Sequence, residues 1–241
     1  MWSYYGSKKS IVDYYPPPKF DKIIEPFVGA GPYSLKYWDR DITIMDKYEV
    51  VYRIWKWLQE CEISDIEKLP HFMMPDDNLN NYTFDCQEAK LLMGFIIAKG
   101  AERPRCKPTE RATISRPNTI NFTLGKIKRN LHKIKHWTIL HGSYIDLKNE
   151  NATWFIDPPY QYGGNAYVEN KIDFNHLADW CKTRQGQVIV CENTKANWLP
   201  FVPMIDNKGT HKTTTEAIWS NYKTNYDAVQ QSLPFLVINR T

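Results

Sequence analysis

The stretch that most constrains the fold of this 241-residue chain is its first sixty residues, where two apolar runs alternate with two helical patterns. Residues 21–27, Asp-Lys-Ile-Ile-Glu-Pro-Phe, read as a short buried strand ended by Gly29 and Gly31. Pro32 suits the first turn of a helix running through Leu35 and Trp38, because its missing N–H would be unpaired there anyway. Residues 42–46, Ile-Thr-Ile-Met-Asp, form a second strand pattern, and apolar residues at 50, 51, 54, 55 and 58 make one face of a helix over 49–61. This β-α-β-α order predicts an α/β fold with a parallel sheet and right-handed crossovers.

The rhythm then breaks and resumes. Residues 85–99 predict a helix capped by Asp85 with Glu88 three residues on, an inner face of Leu92, Met93, Ile96 and Ile97, and a stop at Gly100. Residues 100–121 hold Pro104, Pro108 and Pro117 without a clean period, and read as a long loop or hairpin. Residues 122–137 read as an irregular basic helix. Strands are expected at 138–140, 153–157 and 187–191, with a helix over 173–183. Strand-like pieces around Phe201, 217–219 and 235–238 are expected to pair antiparallel, giving a mixed, mostly parallel sheet.

Charge is concentrated in one place. Between Lys99 and Lys135 eleven Lys and Arg residues face only Glu102 and Glu110, so this segment carries +9 while the whole chain carries +4. A polyanion partner would release condensed counterions there, although a basic run is as often a solvated surface. The chain is long enough for one well-buried α/β core with an insertion, and no run of eighteen apolar residues suggests a membrane span. The first residues lack the layout of a secretion signal, and Cys61, Cys86, Cys106, Cys181 and Cys191 are odd in number with no Cys-x-x-Cys pair. Reduced thiols and a cytoplasmic location are the expectation, with a monomer as the default state. The six histidines show no metal-ligand spacing, so no metal is expected.

Three features fall where open α/β sheets bind ligands, beyond the carboxyl ends of strands. Glu25-Pro26-Phe27-Val28-Gly29-Ala30-Gly31 is a glycine turn from strand to helix, a common pattern when taken alone. Asp46 ends the next strand fifteen residues after Gly31, where an acidic group can accept from ribose hydroxyls or can simply face solvent. The glycine spacing is not Gly-x-Gly-x-x-Gly, which disfavours a dinucleotide. The third feature is Asp157-Pro158-Pro159-Tyr160, after the apolar residues 154–156. With Pro at about 5% of residues, it arises by chance in roughly one chain in a thousand of this length. Two prolines remove two N–H donors, so the loop offers a carboxylate and carbonyl oxygens to a planar amine, with an aromatic ring beside it.

Together these motifs resemble the S-adenosylmethionine-dependent DNA amino-methyltransferases, and are most similar to the DNA adenine methyltransferase (Dam-like) group. Residues 25–31 look like the cofactor motif of that family and 157–160 like its catalytic motif. Tyr4-Tyr5-Gly6-Ser7-Lys8 looks like its N-terminal motif, with tyrosine where tryptophan is common and Ser7 in place of a glycine. The resemblance implies a Rossmann-like methyltransferase fold of residues 1–59 and 136–241, with a mainly helical target-recognition domain inserted at 60–135. It implies S-adenosylmethionine binding by Tyr4, Lys8, Glu25, Pro26, Phe27, Gly29, Gly31, Asp46, Ser143, Tyr144 and Asp157, with Asp46 at the ribose and Ser143 and Tyr144 beside the adenine. Asp157, Pro158, Pro159 and Tyr160 are the implied catalytic residues, acting on adenine N6 in double-stranded DNA. The sulfonium of the donor is already activated, so positioning alone is asked of the protein.

In the same family order, the +9 segment falls inside the insertion, and Lys99, Arg103, Arg105, Lys107, Arg111, Arg116, Asn118, Asn121 and Lys126 are the expected DNA contacts. Residues 121–127 look like the segment closing a recognition hairpin, and residues 215–221 like a late Glu-x-x-Trp strand with no role assignable from sequence. Two rivals share these features: the same chemistry on cytosine N4, RNA adenine or a protein amide, and a catalytically silent DNA-binding protein. Within the family, Asp at the first catalytic position goes mainly with adenine.

Overall fold

The computed structural model describes residues 1–114, 118–208 and 213–226. Its centre is a seven-stranded sheet: β1 (Lys22–Glu25), β2 (Asp41–Asp46), β3 (Thr138–His141), β4 (Ala152–Ile156), β5 (Gly186–Asn193), β6 (Val202–Lys208) and β7 (Thr213–Ser220). The order is β3-β2-β1-β4-β5-β7-β6; the first five are parallel and β7 runs antiparallel to both neighbours. This is a mixed, mostly parallel α/β sheet, as expected. The chain leaves β1 towards β2 on one side and returns as β4 on the other, so the strand order reverses between β1 and β4. Such a reversal opens a crevice beyond the carboxyl ends of those two strands.

Strand periodicity sorts the core into two layers. Ile23 and Phe155 face one side with α2 (Glu49–Glu60), while Ile24, Trp154 and Ile156 face the other, against α7 (Phe174–Lys182). β4 is buried along its full length, as a central parallel strand must be. The region between α2 and β3 is mainly helical: α3 (Ile63–Glu67), α4 (Gln87–Ile97), α5 (Glu110–Thr113) and α6 (Thr119–Asn130), with the five-residue α1 (Pro32–Lys36) earlier in the chain. Phe95 and Ile96 of α4 and Ile120, Leu124 and Ile127 of α6 pack into the same apolar cluster as Trp55 and Leu58 of α2. The insertion and the sheet therefore share one core.

Three local expectations differ. Asp85 does not cap α4: Cys86 occupies that position, the Asp85 carboxylate pairs with Lys68 at 2.8 Å, and Glu88 is drawn to Arg53 at 2.6 Å. Ion pairs across elements outcompete the local cap. Of residues 100–121, read as a long loop or hairpin, 100–109 are a loop tied back onto α4 by Arg105 N–Gly94 O (3.2 Å) and Thr109 N–Ile97 O (3.0 Å), but α5 and the start of α6 are helical. Residues 121–127 lie inside α6, which begins at Thr119. The strand expected at 235–238 lies outside the described residues. Among the described residues no helix is long and apolar enough to cross a membrane.

Candidate active site

Both strand ends at the reversal carry the sequence motifs. After β1, Pro26, Phe27 and Gly29 form one wall of a cleft that Asp46, Ser143, Tyr144, Tyr4, Lys8 and Asp157 also line. Gly29 has φ +47, and a Cβ there would lie 3.0 Å from the Tyr4 ring, so the close approach requires glycine. Asp46 ties the two strand ends together: its carboxylate accepts from Gly29 N and Tyr48 N, each at 2.9 Å. Burial pushes its pKa up to about 6. Each oxygen keeps a second lone pair for a ligand. Phe27 and Tyr144 lie with ring centroids 5.6 Å apart, and the Tyr144 hydroxyl is fixed by His176 at 2.7 Å.

Two residues of the glycine motif stand behind this wall. Glu25 is fully buried, and its carboxyl accepts from the Ser34 backbone N (3.3 Å) and hydroxyl, bracing the turn from inside. Burial raises its pKa to about 8. Gly31 is the residue before α1 and does not line the cleft.

Beyond β4, Asp157 faces Lys8. The Lys8 Nζ lies 3.0 Å from Asp157 Oδ1 and 3.7 Å from Glu216, 4.3 Å over the Tyr160 ring, and donates to Gly6 O at 3.2 Å. Burial alone would lower the Lys8 pKa, but the two carboxylates outweigh it and hold the ammonium charged. Asp157 Oδ1 is a buried oxygen held in an ion pair by the Lys8 ammonium, with no other donor on it among the described residues. Burial pushes Asp157 up to about 6, Lys8 pulls it down and Glu216 pushes it further up.

The rest of the catalytic-type loop is held rigidly. Glu216 on β7 accepts from the hydroxyls of Tyr160 and, at 2.6 Å, of Tyr15. Glu192 on β5 accepts from Gln161 N (2.6 Å), Asn193 N (2.8 Å) and the Trp198 indole (3.2 Å). Pro158 is buried, Pro159 reaches the first cleft, and Tyr160 lines a second, open cleft on the other side. Residues 4–8 and Tyr167 belong to both clefts and form the partition between them. Gly6 turns this partition at φ +70, with the Tyr167 hydroxyl against it donating to Tyr5 O at 3.2 Å.

Glu216, Tyr15, Glu192 and Tyr167 were not found by sequence reasoning. Only Glu216 carried a signal: it is the Glu of the Glu-x-x-Trp resemblance at 215–221, to which the sequence assigned no role. The proposed DNA contacts divide. Lys99, Asn118 and Lys126 line the open cleft; Arg103, Arg105 and Lys107 are exposed on the loop after α4 and outside it. Asn121 is exposed and meets His71 at 3.1 Å, also away from the cleft. Arg116 and the Arg111 side chain lie outside the described residues. Among the described residues no group of three His, Cys, Asp or Glu is arranged to hold a metal ion.

Among solved structures the chain is similar to a proposed methyltransferase, yhhF of Escherichia coli, at 10% identity over 88% of this chain and 78% of that one, with a TM-score of 0.35. It is also similar to a proposed methylase, HI0767 of Haemophilus influenzae, at 10% identity over 84% and 80%, with a TM-score of 0.34. No family model and no curated protein matches. Likeness this distant transfers no residue and no activity, and the chemistry rests on the site.

Proposed function

We propose that this protein is an S-adenosylmethionine-dependent DNA methyltransferase acting on N6 of an adenine turned out of the duplex. The observation that carries this reading is Asp157 Oδ1, a buried acceptor beside the first cleft, paired with Lys8, which lines both clefts. The first cleft suits the donor: the Gly29 turn admits a close ligand, Asp46 offers lone pairs to ribose hydroxyls, and Phe27 and Tyr144 offer rings to the adenine. Bound there, S-adenosylmethionine supplies a methyl group on a sulfonium leaving group.

The chain's own residues then act by position. Asp157 and the Pro158 carbonyl accept the two amine hydrogens, which favours a tetrahedral nitrogen with its lone pair free. Lys8 favours the ionised form of Asp157, the form that accepts, and Oδ1 takes the proton that the methylated amine releases. Tyr160, anchored through its hydroxyl to Glu216, presents its ring to the extruded base. The basic insertion, residues 60–135, serves as the target-recognition domain, with Arg103, Arg105 and Lys107 on the phosphate backbone.

The direct test is Asp157→Ala, assayed for methyl transfer and for duplex binding. Transfer is expected to fall by at least about a thousandfold, since an interaction made to the reacting amine is removed, while DNA affinity persists. Retained full activity would sink the assignment.

A further inference from the structure

The open cleft has a strongly one-sided charge. Among the described residues its lining contains five lysines and one carboxylate, Glu216, which already holds Tyr15, Tyr160 and Lys8. Two of these lysines are set against each other. Lys9, in the turn that begins with Lys8, and Lys126 of α6 both line this cleft, each ammonium opposing the charge of the other, and among the described residues neither pairs with a carboxylate. Burial, with Lys9 as the next cause, lowers the Lys126 pKa to about 8. Two ammonium groups held together, one half-buried, are unfavourable until an anion lies between them.

The surroundings indicate which anion. Asn118, Thr119, Phe122, Thr123 and Lys126 bring one face of α6 to the cleft, so amide, hydroxyl and ammonium donors flank an aromatic ring. Phe122 is 65% exposed, and Tyr162 across the cleft is 51% exposed. Cations interleaved with exposed aromatic rings fit a nucleotide, with phosphate on the lysines and bases against the rings.

We infer that Lys9 and Lys126 form a clamp for a phosphate group, and that the phosphate is a backbone phosphate beside the nucleotide whose base reaches Asp157. The clamp itself stands on the lysine pair and the cleft; its assignment to a polynucleotide rests on the proposed function. α6 thereby becomes the element that faces the target nucleotide, and the exposed arginines of the preceding loop lie farther along the duplex.

The test has two arms on the full chain. In the first, lysine side-chain NMR follows Lys126, identified by its loss in Lys126→Arg, while inorganic phosphate is added. The Lys126 titration midpoint is expected to move up by about one pH unit, and this response should vanish in Lys9→Gln. In the second, binding of a fluorescent duplex is measured against salt for wild type and Lys9→Gln/Lys126→Gln. The slope of log K against log salt should shrink by about one in the double variant, with unchanged S-adenosylmethionine affinity reporting an intact fold. No response of Lys126 to phosphate overturns the clamp. A phosphate response with identical duplex slopes keeps the clamp but overturns its assignment to DNA, whether or not methyl transfer is found.

Discussion

Glu25 and Asp157 are both acids forced to hold protons more tightly than usual, with opposite uses. Asp157 sits near the balance point and is available as an acceptor at neutral pH. Glu25, raised to about 8 by burial, stays protonated there and braces the glycine turn through Ser34 as a neutral group. The sign of its effect on stability follows. Between the ordinary glutamate value and about 8, the folded chain keeps a proton that the unfolded chain has released. Glu25 therefore lowers stability as pH rises through that window. Glu25→Gln, which is always neutral, is expected to fold and to lose part of this decline, about 1 kcal/mol per pH unit at mid-window. Melting curves of both proteins between pH 5 and 8 check this; equal pH slopes would show that Glu25 is ionised in the folded state.

At the scale of elements, the partition of residues 4–8 is as important as the sheet, because both clefts depend on it. In Gly6→Ala the new Cβ would lie 1.8 Å from the Tyr167 hydroxyl, at a φ of +70 that disfavours L side chains. Tyr167 must move, and S-adenosylmethionine binding measured by calorimetry should weaken at least about tenfold, some 1.4 kcal/mol. Wild-type affinity would mean that the partition does not shape the donor cleft. The elements were legible in sequence where they depend on local pattern. β1, β2, β4 and α2 announce themselves by period, and the helix expected over 173–183 is α7, capped by Asp173. Asp85 misled because its partner, Lys68, comes from another element. Glu216 was visible only as a motif residue without a role: its bonds to Tyr160 and Tyr15 span 56 and 201 residues, distances over which sequence pattern has no reach.

For the whole molecule, the strand reversal between β1 and β4 brings together motifs that are more than a hundred residues apart, and the insertion packs into the same core instead of standing apart. α6 and β4, the strand before Asp157, contribute to one apolar cluster, so the proposed clamp and the proposed catalytic carboxylate stand on one packed body. The central claim concerns what crosses the partition: a methyl group, onto a DNA adenine. It is tested most directly by incubating the protein with radiolabelled S-adenosylmethionine and duplex DNA, RNA or protein, then digesting each acceptor and identifying the labelled product. The account predicts N6-methyladenine in the DNA and none of it with Asp157→Ala. Label found only in RNA or protein, only on cytosine, or in no acceptor would contradict it.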